Sequence, residues 1–103
     1  MSRQRLPNRR ASETIGFEFR GAPYTLTTSC FADGALGEVF IDCQAKGASR
    51  LDCDAKDVAV VLSLALQHGV RPDAIRSAVT RESDGQPVGI AGRVLDLLEE
   101  IPQ

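Results

Sequence analysis

Histidine occurs once and cysteine three times in these 103 residues, and neither scarcity leaves room for much site chemistry. Cys30, Cys43 and Cys53 are an odd set with no Cys-x-x-Cys pair. That spacing excludes the common disulfide frameworks and zinc knuckles and reads as free thiols in a reducing, cytoplasmic compartment. His68 would bring the potential zinc ligands to four, but over long intervals, so no metal is expected. A nucleophilic triad needs its histidine beside a serine or cysteine and a carboxylate. Ser63 and Asp57 share a helix with His68 but not a matching face, and His68 reads as a last-turn residue complementing the helix dipole. No glycine-rich phosphate loop is present. The nearest approach to an anion site is Lys46-Gly47 with Arg50 before a helix start, and the aspartates that follow oppose it. No cofactor and no catalytic residue is therefore expected. Apolar runs are short as well. Val58–Leu62 and Leu64–Leu66 are the longest, against the roughly 20 residues a membrane span needs. The first arginines are not followed by an apolar stretch, so no secretory signal is expected either.

What is present is globular in composition, 43% hydrophobic and 25% charged, in a length that suits one domain. The charge is unevenly placed. Arg3, Arg5, Arg9 and Arg10 against Glu13 make residues 1–13 +3, so the remainder carries −5 of the total −2. Residues 1–13 read as a flexible basic arm, and 14–101 as a single domain.

Within that domain Ile15, Phe17 and Phe19 alternate with Gly16, Glu18 and Arg20, the period of a strand with one buried face. Gly21-Ala22-Pro23 breaks it. Tyr24–Phe31, rich in Thr, Tyr and Leu, reads as a second strand, Asp33-Gly34 as a hairpin turn, and Leu36–Cys43 as a third strand. After a loop over 44–51, Asp52, Asp54 and Asp57 open a helix, as acids favour a first turn. It runs to about His68, with Gly69 as its C′ residue and Val70 folding back. Pro72 starts a second, short helix to about Thr80. Ile90, Val94, Leu97, Leu98 and Ile101 form the stripe of a third. The expected fold is α+β, a three-stranded antiparallel meander followed by three helices that cover one sheet face.

The first helix leaves almost no polar face between Val58 and Leu66, so it has to be buried all round. Three strands and two short helices offer limited cover, and a three-stranded sheet has two edges that invite pairing. Phe40 shares its strand face with Glu38 and Asp42, opposite Val39 and Ile41. These features together predict a homodimer.

Gly37-Glu38-Val39-Phe40-Ile41, then Lys46-Gly47, then the run Asp57 to Val70 resemble the TSCPD domain. That family stands at the C-terminal end of cobalamin-dependent ribonucleotide reductases and also occurs as short free-standing bacterial proteins. The resemblance covers roughly Thr14 to Leu98, with 38–70 its specific part. The family's Thr-Ser-Cys-Pro-Asp motif, which enters the last helix, is absent. Pro87-Val88-Gly89-Ile90-Ala91-Gly92 stands there, and Thr28-Ser29-Cys30 lies on a strand. The reductases' catalytic barrel and redox cysteine pair are also absent. What the resemblance implies is a fold and a historical link, not reductase activity.

Two functions follow as expectations. The first is a non-catalytic domain that docks on a protein partner, a ribonucleotide reductase among the candidates, through Phe40, Glu38 and Asp42 with Arg9 and Arg10. The alternative is a nucleic-acid-binding regulator in which Leu64–Thr80 forms a helix-turn-helix. Arg76 would then lie on the reading helix, Arg71 and Arg81 on phosphates, and Arg3 and Arg5 on the arm.

Overall fold

The computed structural model describes residues 12–100. Its elements follow the expected order: β1 (Ser12–Phe19), β2 (Ala22–Cys30), β3 (Leu36–Cys43), α1 (Ser49–Gln67), α2 (Pro72–Ala78) and α3 (Ile90–Glu100). The strands form one antiparallel sheet in the order β1-β2-β3. This is an α+β fold.

Strand alternation sorts the sheet into two faces. Ile15, Leu26 and Ile41 share a row, as do Phe17, Tyr24 and Cys43, and these residues belong to or pack against the core with Ala55, Leu62, Val94 and Leu98 from the helices. Phe17 and Tyr24 stack across their strands with ring centroids 5.4 Å apart, the cross-strand aromatic pair that stabilises a pleated surface. α1 packs on β3 and against α3, and α2 packs on α3. The opposite sheet face carries Thr14, Thr27 and Phe40 in one row, and no described helix packs across it.

Two turns set the register. Arg20 and Gly21 both have positive φ, 50° and 80°, the conformation of a tight two-residue hairpin whose twist matches its strands. Ala22 and Pro23, expected to break the sheet, therefore lie inside β2. Pro23 is tolerated because β3 ends at Cys43, and only the Gln44 amide reaches the Pro23 carbonyl, at 2.8 Å. The helix stop at Gly69 is a full Schellman motif. Gly69 has φ 87°, its amide donates to the Leu66 carbonyl at 3.1 Å, and the Val70 amide donates to the Ala65 carbonyl at 3.0 Å.

Several boundaries differ from expectation. Ser12 and Glu13, placed in the arm, pair with Ser29 and Thr28; both are polar and exposed, so no apolar alternation marks the start of β1. α1 starts at Ser49, three residues before its acidic turn, and α2 stops at Ala78. Within one chain α1 is covered on one side only, the limited cover expected of three strands and two short helices. Val60 is 57% exposed, Val61 66% and Leu64 41%, because the sheet and α3 reach one side of the helix only.

Gly92 marks a close approach between α3 and the loop before it. A Cβ there would lie 2.8 Å from Pro87 Cβ and 3.4 Å from a Val79 methyl, and the proline ring cannot swing aside. Gly92→Ala is expected to destabilise the fold by roughly 1–3 kcal/mol, read as a lowered urea midpoint with unchanged slope.

Candidate functional site

The outer edge of β3 is where local sequence, packing and exposure meet. In an antiparallel pair every second residue points its N–H and C=O away from the neighbouring strand, so an edge strand presents unpaired groups. Here α1 closes several of them. The Val39 amide donates to Ser63 Oγ at 2.9 Å, and the Ser63 hydroxyl donates back to the Val39 carbonyl at 3.0 Å. Gln67 Nε2 donates to the Gly37 carbonyl at 3.1 Å. The Cys43 amide donates to Asp52 Oδ1 at 3.0 Å. Lys56 then bridges strand and helix, reaching Asp42 at 3.0 Å and Asp52 at 2.6 Å. Asp52, Lys56, Ala59, Ser63 and Gln67 recur at three- and four-residue intervals, one face of the helix. The sheet edge that invited pairing is thus partly spoken for.

Beside this stitched seam lies a groove of about 560 Å³. Phe40 forms one wall, Val60 and Leu64 the other, and the β3 edge from Val39 to Ile41 the floor. Glu38 and Gln67 stand at one end, Asp42 and Lys56 at the other. Phe40 is 45% exposed, because its row faces away from the core. An apolar trough with charged ends is a docking shape. It places no nucleophile beside a base, since the Ser63 hydroxyl is committed to Val39 and His68 Nδ1–H donates to the Leu64 carbonyl at 2.8 Å.

The ionised groups at the seam are tuned by their pairing. The Lys56 ammonium, followed by the Cys43 amide, holds the Asp52 carboxyl below its ordinary value. Asp52 and then Asp42 hold Lys56 above its own.

Of the residues expected to carry function, Phe40, Glu38 and Asp42 are brought together on this face, while Arg3, Arg5, Arg9 and Arg10 lie outside the described residues. The arginines of the alternative reading are scattered into pairs. Arg71 reaches Asp73 at 2.8 Å. Arg76 Nε and Arg81 both bond Asp96 on α3, at 2.8 and 2.9 Å. Their charges hold α2 and the following loop to α3, which an αα-corner inside a domain needs. Arg81, then Arg76, keep the Asp96 carboxyl below the usual carboxylate range.

A lowered folded pKa means stability that is complete above the unfolded value and is lost as pH falls through the folded one. The unfolded value is about 3.9. Asp96→Asn is therefore expected to lower the melting temperature at neutral pH. In strong acid, below both pKa values, wild type and variant are expected to melt alike. A thermal series across pH checks this, and an equal difference at every pH contradicts it.

Cys30 and Cys43 are half-buried free thiols and Cys53 an exposed one. Among the described residues no group of three or more His, Cys, Asp or Glu side chains is placed to hold a metal ion, and no helix is long and apolar enough to cross a membrane. The edge-closing roles of Ser63, Gln67 and Asp52 escaped sequence reasoning. Their signal was two polar residues four apart, Ser63 and Gln67, in a run otherwise apolar.

No family model and no solved structure matches the chain. Among curated proteins it is 40% identical over 68 residues to a vitamin B12-dependent ribonucleotide reductase of Agrobacterium fabrum, covering 66% of this chain and 5% of the reductase. It is 37% identical over 78 residues to the enzyme of the same description from Bradyrhizobium diazoefficiens, covering 76% of this chain and 6% of the reductase. Sequence and structure together describe an α+β domain similar to a small part of the vitamin B12-dependent ribonucleotide reductases, spanning about a twentieth of their length.

Proposed function

We propose that this chain is a small non-catalytic docking domain of the TSCPD type. It grips a protein partner through Phe40, flanked by Glu38 and Asp42, with Arg9 and Arg10 adding contacts from the segment before β1. The observation that carries the reading is the groove. An aromatic ring and two aliphatic side chains stand exposed around a strand edge whose polar groups are already partly bonded to α1. Burial of such a surface is favourable. Similarity to a segment of vitamin B12-dependent ribonucleotide reductases makes a reductase of that class the first partner to test. A second copy of this chain is included among the partners, and a molar mass that stays at one chain at every concentration removes that part.

The test is an affinity capture from extract of the protein's own organism, run with wild type and Phe40→Ala at low and moderate salt. Protein and nucleic acid are both quantified. A reductase retained by wild type at moderate salt and lost from the variant supports the reading. Nucleic acid retained without protein and released as salt rises contradicts it, because phosphate contacts weaken steeply with salt.

A further inference from the structure

Among the described residues Val61 is the most exposed large apolar side chain, at 66%, and it takes no part in the groove. It stands on the outward ridge of α1. Asp57, Val61, Leu64 and His68 follow at intervals of four, three and four residues, which sets them in one line along the helix. The opposite side of α1 carries Ala55, Ala59, Leu62 and Leu66 and is buried. Between Asp57 and His68 the helix holds no charged residue, and Val60 widens the apolar line on the side of the groove.

Area and charge say what fits this ridge. Val60, Val61 and Leu64 leave on the order of 300 Å² of apolar surface open, the size of patch that marks an interaction site. A second copy of the chain brings an identical uncharged ridge. Two ridges together enclose on the order of 600 Å² of apolar surface. At the apolar share usual for an interface that implies about 1,000 Å² in all, enough for a specific pair. Direction follows from the ends of the ridge. Parallel helices would set Asp57 beside Asp57 of the other copy, and like charges oppose a contact. Antiparallel helices set Asp57 beside His68 of the other copy and Val61 beside Leu64. Both pairs belong to one register, because Asp57 and His68 lie equally far outside Val61 and Leu64.

We propose that the chain forms a two-fold dimer in which the α1 helices pack antiparallel through Val61 and Leu64, with Asp57 of each copy against His68 of the other. The contact is isologous, so each of these pairs occurs twice. It goes beyond the docking reading, because Phe40 stands across the groove on β3 and stays outside the helix pair. The dimer therefore still presents Phe40, once on each copy.

Sedimentation equilibrium on the intact chain is expected to show a molar mass that rises from one chain to two across the micromolar range, as suits a contact of modest area. Val61→Asp is expected to raise the dissociation constant by about 100-fold or more, because its dimer would bury two unpaired carboxylates. Its circular dichroism spectrum is expected to stay that of the folded chain, since position 61 is exposed. Phe40→Ala is expected to leave the constant within about twofold. Native Cys53 reads the direction independently. It is exposed on α1, and antiparallel pairing holds the two copies of it about 28 Å apart along the helices, whereas parallel pairing brings them together. Mild oxidation is expected to link Val61→Cys into a dimer through position 61 and to leave the wild type unlinked. A mass of one chain at every concentration, an unchanged constant in Val61→Asp, or a wild-type dimer linked through Cys53 overturns the proposal. So does a dimer weakened by Phe40→Ala and not by Val61→Asp, which would move the contact into the groove. Capture of a reductase by wild type and its loss in Phe40→Ala are read separately, so the docking reading stands or falls on its own.

Discussion

Phe40→Ala is expected to weaken partner binding by roughly 30-fold or more while leaving the fold intact, the behaviour of a buried aromatic anchor at an interface. The two halves of this result have separate physical origins. Phe40 is 45% exposed and stands on the sheet face opposite the helices, so in the free protein its removal forms no cavity. The stability change is expected within about 0.5 kcal/mol, as for a surface substitution. In the complex the ring gives up its remaining contact with water together with Val60 and Leu64, and truncation forfeits that burial. Titration calorimetry paired with urea unfolding separates the two. A variant that unfolds would place Phe40 in the core, and a variant that binds as wild type would remove the groove from the interface.

Ser63→Ala is expected to cost roughly 2–3 kcal/mol, because the Val39 amide and carbonyl then lose their bonds to the Ser63 hydroxyl at a residue 1% exposed. For a domain of this length that corresponds to a melting temperature lower by about 10 °C or more. Ser63→Thr against Ser63→Val isolates the hydroxyl, since these two variants match in shape. The threonine form is expected to be the more stable. Equal stabilities would mean that the edge of β3 is satisfied some other way. The same substitution reopens part of the strand edge, so Ser63→Val is also expected to aggregate more readily on partial unfolding.

How much of this was legible in the sequence depended on whether the cause was local. Leu36–Cys43 declared itself by alternation between turn signals, and the end of α1 by Gly69 followed by Val70, because both are set by residues next to one another. Phe40, Glu38 and Asp42 were placed on one exposed face by the two-residue period alone. The closure of the β3 edge was not legible. Ser63 lies 24 residues from Val39 and Gln67 30 residues from Gly37, and nothing local says which strand a helix will lie against. The binding of Arg76 and Arg81 to Asp96 spans 20 and 15 residues and was invisible for the same reason, so Arg76 read as a residue of a reading helix and Arg81 as available for phosphate. The close approach of Pro87 and Val79 to Gly92 was not legible either, since it depends on how α3 packs. The exposure of Val60, Val61 and Leu64 follows from the limited cover that the short chain implied. An all-round apolar helix states what must be covered, and a chain this short covers only one side of it.

The docking account is tested most directly by titrating isotope-labelled full chain with a purified vitamin B12-dependent ribonucleotide reductase and following each backbone amide resonance. The account predicts saturable changes at Glu38–Asp42, Val60 and Leu64. A spectrum unchanged at every reductase concentration, or changes confined to residues 71–81, would contradict it.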